Sequence, residues 1–161
     1  MFHRLKEYGI FLKSLLSINL RLLWGMWKLT RLPQPAITIF GSARLSMESK
    51  DSDQAQQLAK KLALDGFSII TGGGPGIMKS ANKGAFEAMQ ELGYKNKLLR
   101  RRINSFGIGL TRLSTEKRTN KYMHDIIIMD HFFSRKWLLV RYSLGFIVFP
   151  GGFGTMDELF E

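Results

Sequence analysis

The stretch Pro150-Gly151-Gly152-Phe153-Gly154-Thr155-Met156-Asp157-Glu158 decides the fold prediction for this chain of 161 residues. It follows an apolar segment, residues 145–149, that has the length and composition of a buried strand. Glycines without Cβ atoms let backbone N–H groups approach a phosphate, and a helix starting at Thr155 would add its positive N-terminal end. The stretch therefore predicts a strand, a phosphate-binding turn and a helix in succession.

The same alternation extends back to residue 36. Apolar strands are predicted at 36–40, 67–71, 105–110, 125–129 and 145–149, and helices at 52–65, 77–92 and 132–144, the first two ending at Gly66 and Gly93. Continuous apolar strands between helices favour parallel pairing with both sheet faces covered. We therefore predict an α/β class domain over residues 36–161: a Rossmann-like, doubly wound parallel sheet with helices on both faces. Such a sheet usually continues with another strand and helix, so we expect the C-terminal part of the usual fold to be absent.

Residues 1–35 are predicted to form an amphipathic N-terminal helix and a linker. The polar positions fall three or four residues apart, on one stripe of a helix: Lys13, Ser17, Arg21, Gly25 and Lys28. No uncharged run approaches the roughly 20 residues that a membrane span needs. The wide apolar face favours docking on protein, either this domain or a second subunit. Contact of residues 10–30 with a membrane surface is the alternative.

The composition limits the kind of site. The chain has no cysteine, which excludes disulfides and cysteine-ligated metals and favours a cytoplasmic location. Its three histidines, His3, His124 and His131, show no metal-ligand spacing, so no metal is expected. The net charge of +11, with a basic segment at 95–121, favours anionic partners such as nucleotides, nucleic acid or an acidic membrane. A solvated basic surface is the plainer interpretation of that segment.

Three glycine-rich turns follow three of the predicted strands, at residues 41–44, 72–76 and 150–155. Ligands of an open parallel sheet bind beyond the carboxyl ends of its strands, where the winding reverses. A single glycine-rich turn after a strand is common in loops, but three at the carboxyl edge of one sheet indicate a binding site. None of the three has the Gly-Lys-Ser/Thr ending of a Walker sequence.

These residues also carry a family resemblance. Residues 150–158 are similar to the PGGxGTxxE signature of the Lonely Guy (LOG) family, whose members are often called lysine decarboxylases. Residues 72–78 resemble that family's GGGxxGxM turn, residues 41–44 its opening glycine-serine turn, and Arg135-Lys136 its Arg-Lys pair. The resemblance covers residues 37–161 in the expected order.

Membership would imply a Rossmann-like homodimer without metal or organic cofactor. LOG enzymes hydrolyse the N-glycosidic bond of nucleoside 5′-monophosphates, such as cytokinin riboside monophosphates, to free base and ribose 5-phosphate. Arg135 and Glu158 match the family's catalytic pair, and Glu116 is a candidate for its acidic substrate-binding residue. The substrate-binding positions implied here are Ser42, Gly73, Gly74, Lys136, Gly151, Gly152, Phe153, Gly154, Thr155 and Asp157.

Two alternatives stay open. Thr155 and Glu158 have the spacing of a capping box, in which both side chains would satisfy N–H groups at a helix start. The first two glycine turns also resemble the Rossmann-like domain of the DNA-processing protein A family, which binds single-stranded DNA. A non-catalytic nucleotide or nucleic-acid binding module is therefore the second functional hypothesis, and the basic segment around Arg100 would suit it.

Overall fold

A five-stranded parallel sheet forms the centre of the protein. The computed structural model describes residues 2–95, 103–111 and 120–160. The strands are β1 (Ala36–Phe40), β2 (Ser68–Thr71), β3 (Ser105–Leu110), β4 (Asp125–Met129) and β5 (Gly145–Val148). They lie in the order β4-β3-β2-β1-β5, and every pair is parallel. The predicted parallel α/β sheet is therefore confirmed, and each strand lies within one residue of its predicted bounds.

Five described helices surround this sheet: α1 (Phe2–Leu29), α2 (Lys50–Leu64), α3 (Ile77–Lys95), α4 (Phe132–Arg141) and α5 (Phe153–Leu159). Helices α2 and α3 cover one face of the sheet with alanine-rich surfaces, and α1 and α4 pack on the other face. Helices on both faces are thus confirmed. Four predicted helix boundaries are wrong. Helix α4 ends at Arg141 and not at residue 144, and α5 begins at Phe153 and not at Thr155. Helix α3 continues through Gly93, and α2 begins earlier because the Ser49 hydroxyl accepts a hydrogen bond from the Ser52 N–H at 3.2 Å.

The winding of the chain reverses between β1 and β5. From β1 the chain steps outward through β2, β3 and β4, and then returns to place β5 on the other side of β1. Phe40 and Val148 are register partners at the carboxyl ends of these two strands. The turns that follow them therefore meet, and the Ser42 N–H donates to the Pro150 carbonyl at 3.1 Å. This is the crevice in which a doubly wound sheet binds ligands.

Helix α1 attaches to the domain through its C-terminal part. Leu29 is fully buried, and Gly25 faces the side chain of Leu138 on α4. Most of the large apolar side chains of α1 remain exposed, so the domain covers only part of the predicted apolar face. Among the described residues, no helix is long and apolar enough to span a bilayer.

The contact between α2 and α3 depends on small side chains. Ala55, Ala59 and Ala63 of α2 face Ala81, Gly84, Ala85 and Ala88 of α3, and all of them are buried. Gly84 lies closest to the partner helix, because a Cβ atom built there would collide with the backbone oxygen of Gln56. A backbone oxygen in a helix has little freedom to move away. The close approach of α3 to α2 therefore depends on the absence of a side chain at residue 84.

We predict that Gly84→Ala lowers the free energy of unfolding by about 1–3 kcal/mol, the usual cost of overpacking. Alanine is the better helix former by about 1 kcal/mol, so intrinsic propensity alone predicts the opposite sign. Gly9→Ala is the matched control, because nothing lies within 4 Å of a Cβ at that helical position. Urea unfolding followed by circular dichroism gives both values. A Gly84→Ala variant as stable as the parent would contradict the close helix contact.

Candidate active site

A cavity of about 540 Å³ lies in the crevice between β1 and β5. The turn after β1, the turn after β5 and the start of α4 supply its walls. Its lining residues are Gly41, Ser42, Ala43, Arg44, Met78, Phe132, Arg135, Gly152, Phe153, Gly154, Thr155 and Glu158. The two glycine turns predicted to bind phosphate thus border one cavity, together with both residues of the family's catalytic pair.

Arg135 and Glu158 form a buried ion pair in this cavity. An Arg135 NH1 group donates to Glu158 Oε1 at 2.7 Å, and the two side chains are only 8% and 11% exposed. The Arg135 Nε–H also donates to the carbonyl of Ile108 near the end of β3, at 2.9 Å. The absence of a side chain at Gly72 leaves room for the guanidinium, since a Cβ there would collide with it. The backbone of β3 therefore positions the Arg135 guanidinium, which in turn positions the Glu158 carboxylate.

Burial raises the pKa of the Glu158 carboxyl above its usual value of 4.5. Arg135 acts in the opposite direction through its charge and its hydrogen bond, and Lys136 does so more weakly. The neighbouring charge of Asp157 adds to the upward shift of the pKa. Loss of solvent outweighs the ion pair, because a carboxylate in a confined site loses hydration that a single arginine replaces only in part.

The capping-box interpretation of Thr155 and Glu158 is wrong. Helix α5 begins at Phe153, with Gly152 at the N-cap position and no side chain bonded to the cap. Thr155 therefore lies in the first turn, where it is buried and packs against Gly151. The carboxylate of Glu158 binds Arg135 and not the start of its own helix. Helix formation thus does not account for the presence of Glu158.

Lys136 and Asp157 lie beside the main cavity and not among its lining residues. Lys136 Nζ and Asp157 Oδ2 form an ion pair at 2.7 Å, with Lys136 well covered and Asp157 exposed. Both line a second, shallower cavity with the side chains of Phe153, Met156 and Phe160. The predicted contact of these two residues with substrate therefore stays a prediction.

The turn after β2, residues 72–76, lies against the Arg135 side chain at Gly72. The Gly73 N–H donates to the Thr71 hydroxyl at 3.0 Å, and the Asn120 side-chain amide donates to the Gly74 carbonyl at 3.4 Å. Asn82 joins the two contacts, because its Oδ1 accepts from both Thr71 and Asn120, at 2.7 and 2.9 Å. Gly73 and Gly74 are buried and not among the residues that line the cavity, so their predicted substrate contact is also untested.

Sequence reasoning did not single out several residues at this site. Arg44, Met78 and Phe132 line the cavity, and the buried amides of Asn82 and Asn120 hold the turn behind it. A signal existed for Arg44 and Met78, because they lie within the glycine motifs at 41–44 and 72–78, but neither was assigned a role. None existed for Asn82 and Asn120, which meet across 38 residues of chain. Glu116 and the run 100–102 lie outside the described residues.

Nothing among the described residues suggests a metal centre, since no group of three or more His, Asp or Glu side chains is placed to hold an ion. The charged side chains that line the cavity are two arginines, Arg44 and Arg135, and one carboxyl group, that of Glu158. Both aromatic side chains that line it, Phe132 and Phe153, are exposed, the latter to 97%.

Solved structures share the fold. A structural-genomics target named TM1055 superposes with a TM-score of 0.61 at 21% identity, over 79% of this chain and 67% of that one. A molybdenum cofactor binding protein from Rippkaea orientalis gives a TM-score of 0.57 at 25% identity, over 78% of this chain and 68% of that one.

Curated relatives are longer proteins. A pyrimidine/purine nucleotide 5′-monophosphate nucleosidase of Escherichia coli K12 is 35% identical over 107 residues, which are 65% of this chain and 22% of the relative. Cytokinin riboside 5′-monophosphate phosphoribohydrolase LOG5 of Arabidopsis thaliana is 29% identical over 111 residues, 68% of this chain and 43% of the relative. The chain thus spans less than half of either relative.

Family models cover the domain in two parts. Residues 34–94 match a model described as the SLOG cluster4 family. Residues 78–161, just over half of the chain, match the model described as possible lysine decarboxylase, and this match contains Arg135, Glu158 and the glycine turn between β5 and α5. The chain therefore belongs to the possible lysine decarboxylase family, which is the LOG family.

Proposed function

We propose that this chain hydrolyses the N-glycosidic bond of a nucleoside 5′-monophosphate to a free base and ribose 5-phosphate. The observation that carries the proposal is the buried Arg135–Glu158 pair in a cavity bordered by two glycine turns. The activities of the Escherichia coli and Arabidopsis relatives support it, because both act on nucleoside 5′-monophosphates. A cytokinin riboside monophosphate is one substrate to test.

The 5′-phosphate belongs, in this proposal, against the turn of Gly151, Gly152, Gly154 and Thr155. The three glycines carry no side chain, so an anion can approach their backbone N–H groups. The Thr155 N–H donates to the Gly152 carbonyl at 3.0 Å and closes the first turn of α5. The Ser42 hydroxyl accepts the Arg44 N–H at 3.1 Å and so shapes the facing turn. Arg44 adds a positive charge to the cavity wall, which favours a phosphate there.

Glu158 is the group that we assign to the bond-breaking step. Cleavage builds oxocarbenium-like charge on the ribose, which a nearby carboxylate stabilises while it positions a water molecule. The water oxygen bonds to C1′ as the C1′–N bond breaks, the bonding electrons leave with the base, and the water proton passes to Glu158 and then to the base. Arg135, bound to the carboxylate and to the backbone of β3, keeps Glu158 oriented.

The exposed edge of the sheet at β5 suggests how two copies of the chain would pair. β5 is an edge strand with Phe146 and Val148 exposed, and Leu144 lies exposed beside them. Such an apolar sheet edge suits pairing with a second copy, so we include a homodimer, which light scattering of the purified chain tests. We also place the protein in the cytoplasm, because a chain without cysteine suits a reducing compartment.

The proposal predicts that purified protein releases base from at least one of AMP, CMP and a cytokinin riboside monophosphate. We expect Glu158→Gln to lower kcat/KM by roughly 10²–10⁴-fold, the usual contribution of a positioned acid or base. Arg135→Ala should lower kcat/KM by a similar factor, because it removes the side chain that orients Glu158. Chromatography of the released base measures both.

Glu91→Gln on the surface of α3 is the matched control and should keep full activity. Nucleotide binding by calorimetry should survive Glu158→Gln, which separates loss of chemistry from loss of fold. Saturable nucleotide binding without base release would instead support a non-catalytic module. Salt-sensitive binding of oligonucleotides that Glu158→Gln leaves unchanged would favour the nucleic-acid alternative.

The raised pKa of Glu158 predicts a pH profile. If the ionised carboxylate is the active form, kcat/KM is full at high pH and falls as the pH drops through a value above 4.5. Arg135→Gln removes the main influence that lowers this pKa and should move the Glu158 titration to higher pH. Asp157→Asn removes a charge that raises it and should move the titration to lower pH.

Carbon-13 NMR of the glutamate carboxyls follows this titration even in variants without activity. Glu91→Gln serves again as the control that leaves the Glu158 signal in place. Shifts of the same sign in Arg135→Gln and Asp157→Asn would contradict the electrostatic account of the site.

A further inference from the structure

The first two-thirds of helix α1 extends beyond the domain. Lys28 binds Asp125, the first residue of β4, at 2.6 Å, and Arg21 binds Asp130, just past the end of β4, at 2.8 Å. The helix therefore runs antiparallel to β4, and the residues before Arg21 pass the carboxyl edge of the sheet. At 1.5 Å per residue, the part from Lys6 to Leu20 projects by roughly 20 Å. This is the same edge that carries the cavity.

The side of α1 that faces away from the domain is apolar from Leu12 to Trp27, apart from Lys13 near one border. Gly25 and Leu29 point at the domain, and positions two residues away lie about 200° around the helix, on the opposite side. That outward face consists of Leu12, Leu16, Leu20, Leu23, Trp24 and Trp27. Each of these side chains is between 47% and 67% exposed. Such a continuous apolar surface on water marks an interaction site.

The charges beside this face are all positive. Residues 8–47 contain no acidic residue. Lys6 and Lys13 lie seven residues apart, which places both at one border of the outward face, next to Trp24. The Arg31 guanidinium lies 3.8 Å from the centre of the Trp27 ring, at the other end of the face. Arg21 and Lys28, by contrast, are already paired with the domain.

We propose that the outward face of α1 binds an anionic lipid surface. A helix with an apolar face, bordering lysines and tryptophans lies in the plane of a membrane interface, with its cations at the headgroups. The domain is then on the aqueous side, because it contacts the opposite side of the helix. A second copy fits less well, since two such helices would bring lysine against lysine with no carboxylate after Glu7 to pair with them.

The test uses the full chain and vesicles of phosphatidylcholine, with and without phosphatidylglycerol. We expect co-sedimentation with the mixed vesicles, much less with phosphatidylcholine alone, and release by salt. Leu16→Gln with Leu23→Gln should weaken binding to the mixed vesicles by roughly tenfold or more, because apolar area on the buried face is lost. Lys6→Gln with Lys13→Gln should weaken it by roughly fivefold per lysine.

Leu64→Gln with Leu159→Gln is the matched control, because both leucines are exposed and lie on α2 and α5, not on α1. This pair should bind vesicles as the parent does. Equal binding to both kinds of vesicle, or binding that the α1 variants leave unchanged, would overturn the proposal. A different result would assign the face to a second copy instead. The parent chain would then not bind vesicles and would be dimeric in light scattering, and Leu16→Gln with Leu23→Gln would be monomeric.

Discussion

The ion pair between Arg135 and Glu158 is the interaction on which the rest of the site depends. It joins α4 to α5, and the bond from Arg135 to the Ile108 carbonyl joins both helices to β3. Removal of one partner from a buried pair typically costs about 3–5 kcal/mol, because the other charge stays without solvent or partner. Several features make room for it: no side chain at Gly72, a short helix α5 and a cavity in place of packed side chains.

The order of the strands explains why the Arg135–Glu158 pair lies beside two glycine turns. In a sheet ordered β4-β3-β2-β1-β5, the carboxyl ends of β1 and β5 are adjacent, and the two glycine turns after them meet. The glycines of these turns leave backbone N–H groups that an anion can approach, and the buried Glu158 carboxyl group lines the same cavity. In the reaction that we propose, the 5′-phosphate at these turns and the scissile bond at Glu158 would lie in this one cavity.

The sequence predicted the parallel sheet well because buried strands leave a strong local signal: short apolar runs such as 125–129, closed by polar or glycine residues. It was less reliable wherever packing overrides a local preference. Gly93 favours a helix end, yet α3 continues past it. Thr155 and Glu158 have the spacing of a capping box, yet α5 starts at Phe153 and the Glu158 carboxylate binds Arg135. The contact of Asn82 with Asn120 joins distant segments, and no local pattern encodes it.

The central claim is that water, directed by Glu158, replaces the base at C1′ of a nucleoside 5′-monophosphate. Reaction in ¹⁸O-labelled water, with mass spectrometry of the products, tests this most directly. With the sugar trapped by borohydride reduction before its anomeric oxygen exchanges with solvent, we expect one labelled oxygen in the sugar phosphate, none in the released base and no release of inorganic phosphate. Label in inorganic phosphate, or ribose 5-phosphate formed without label, would contradict this claim.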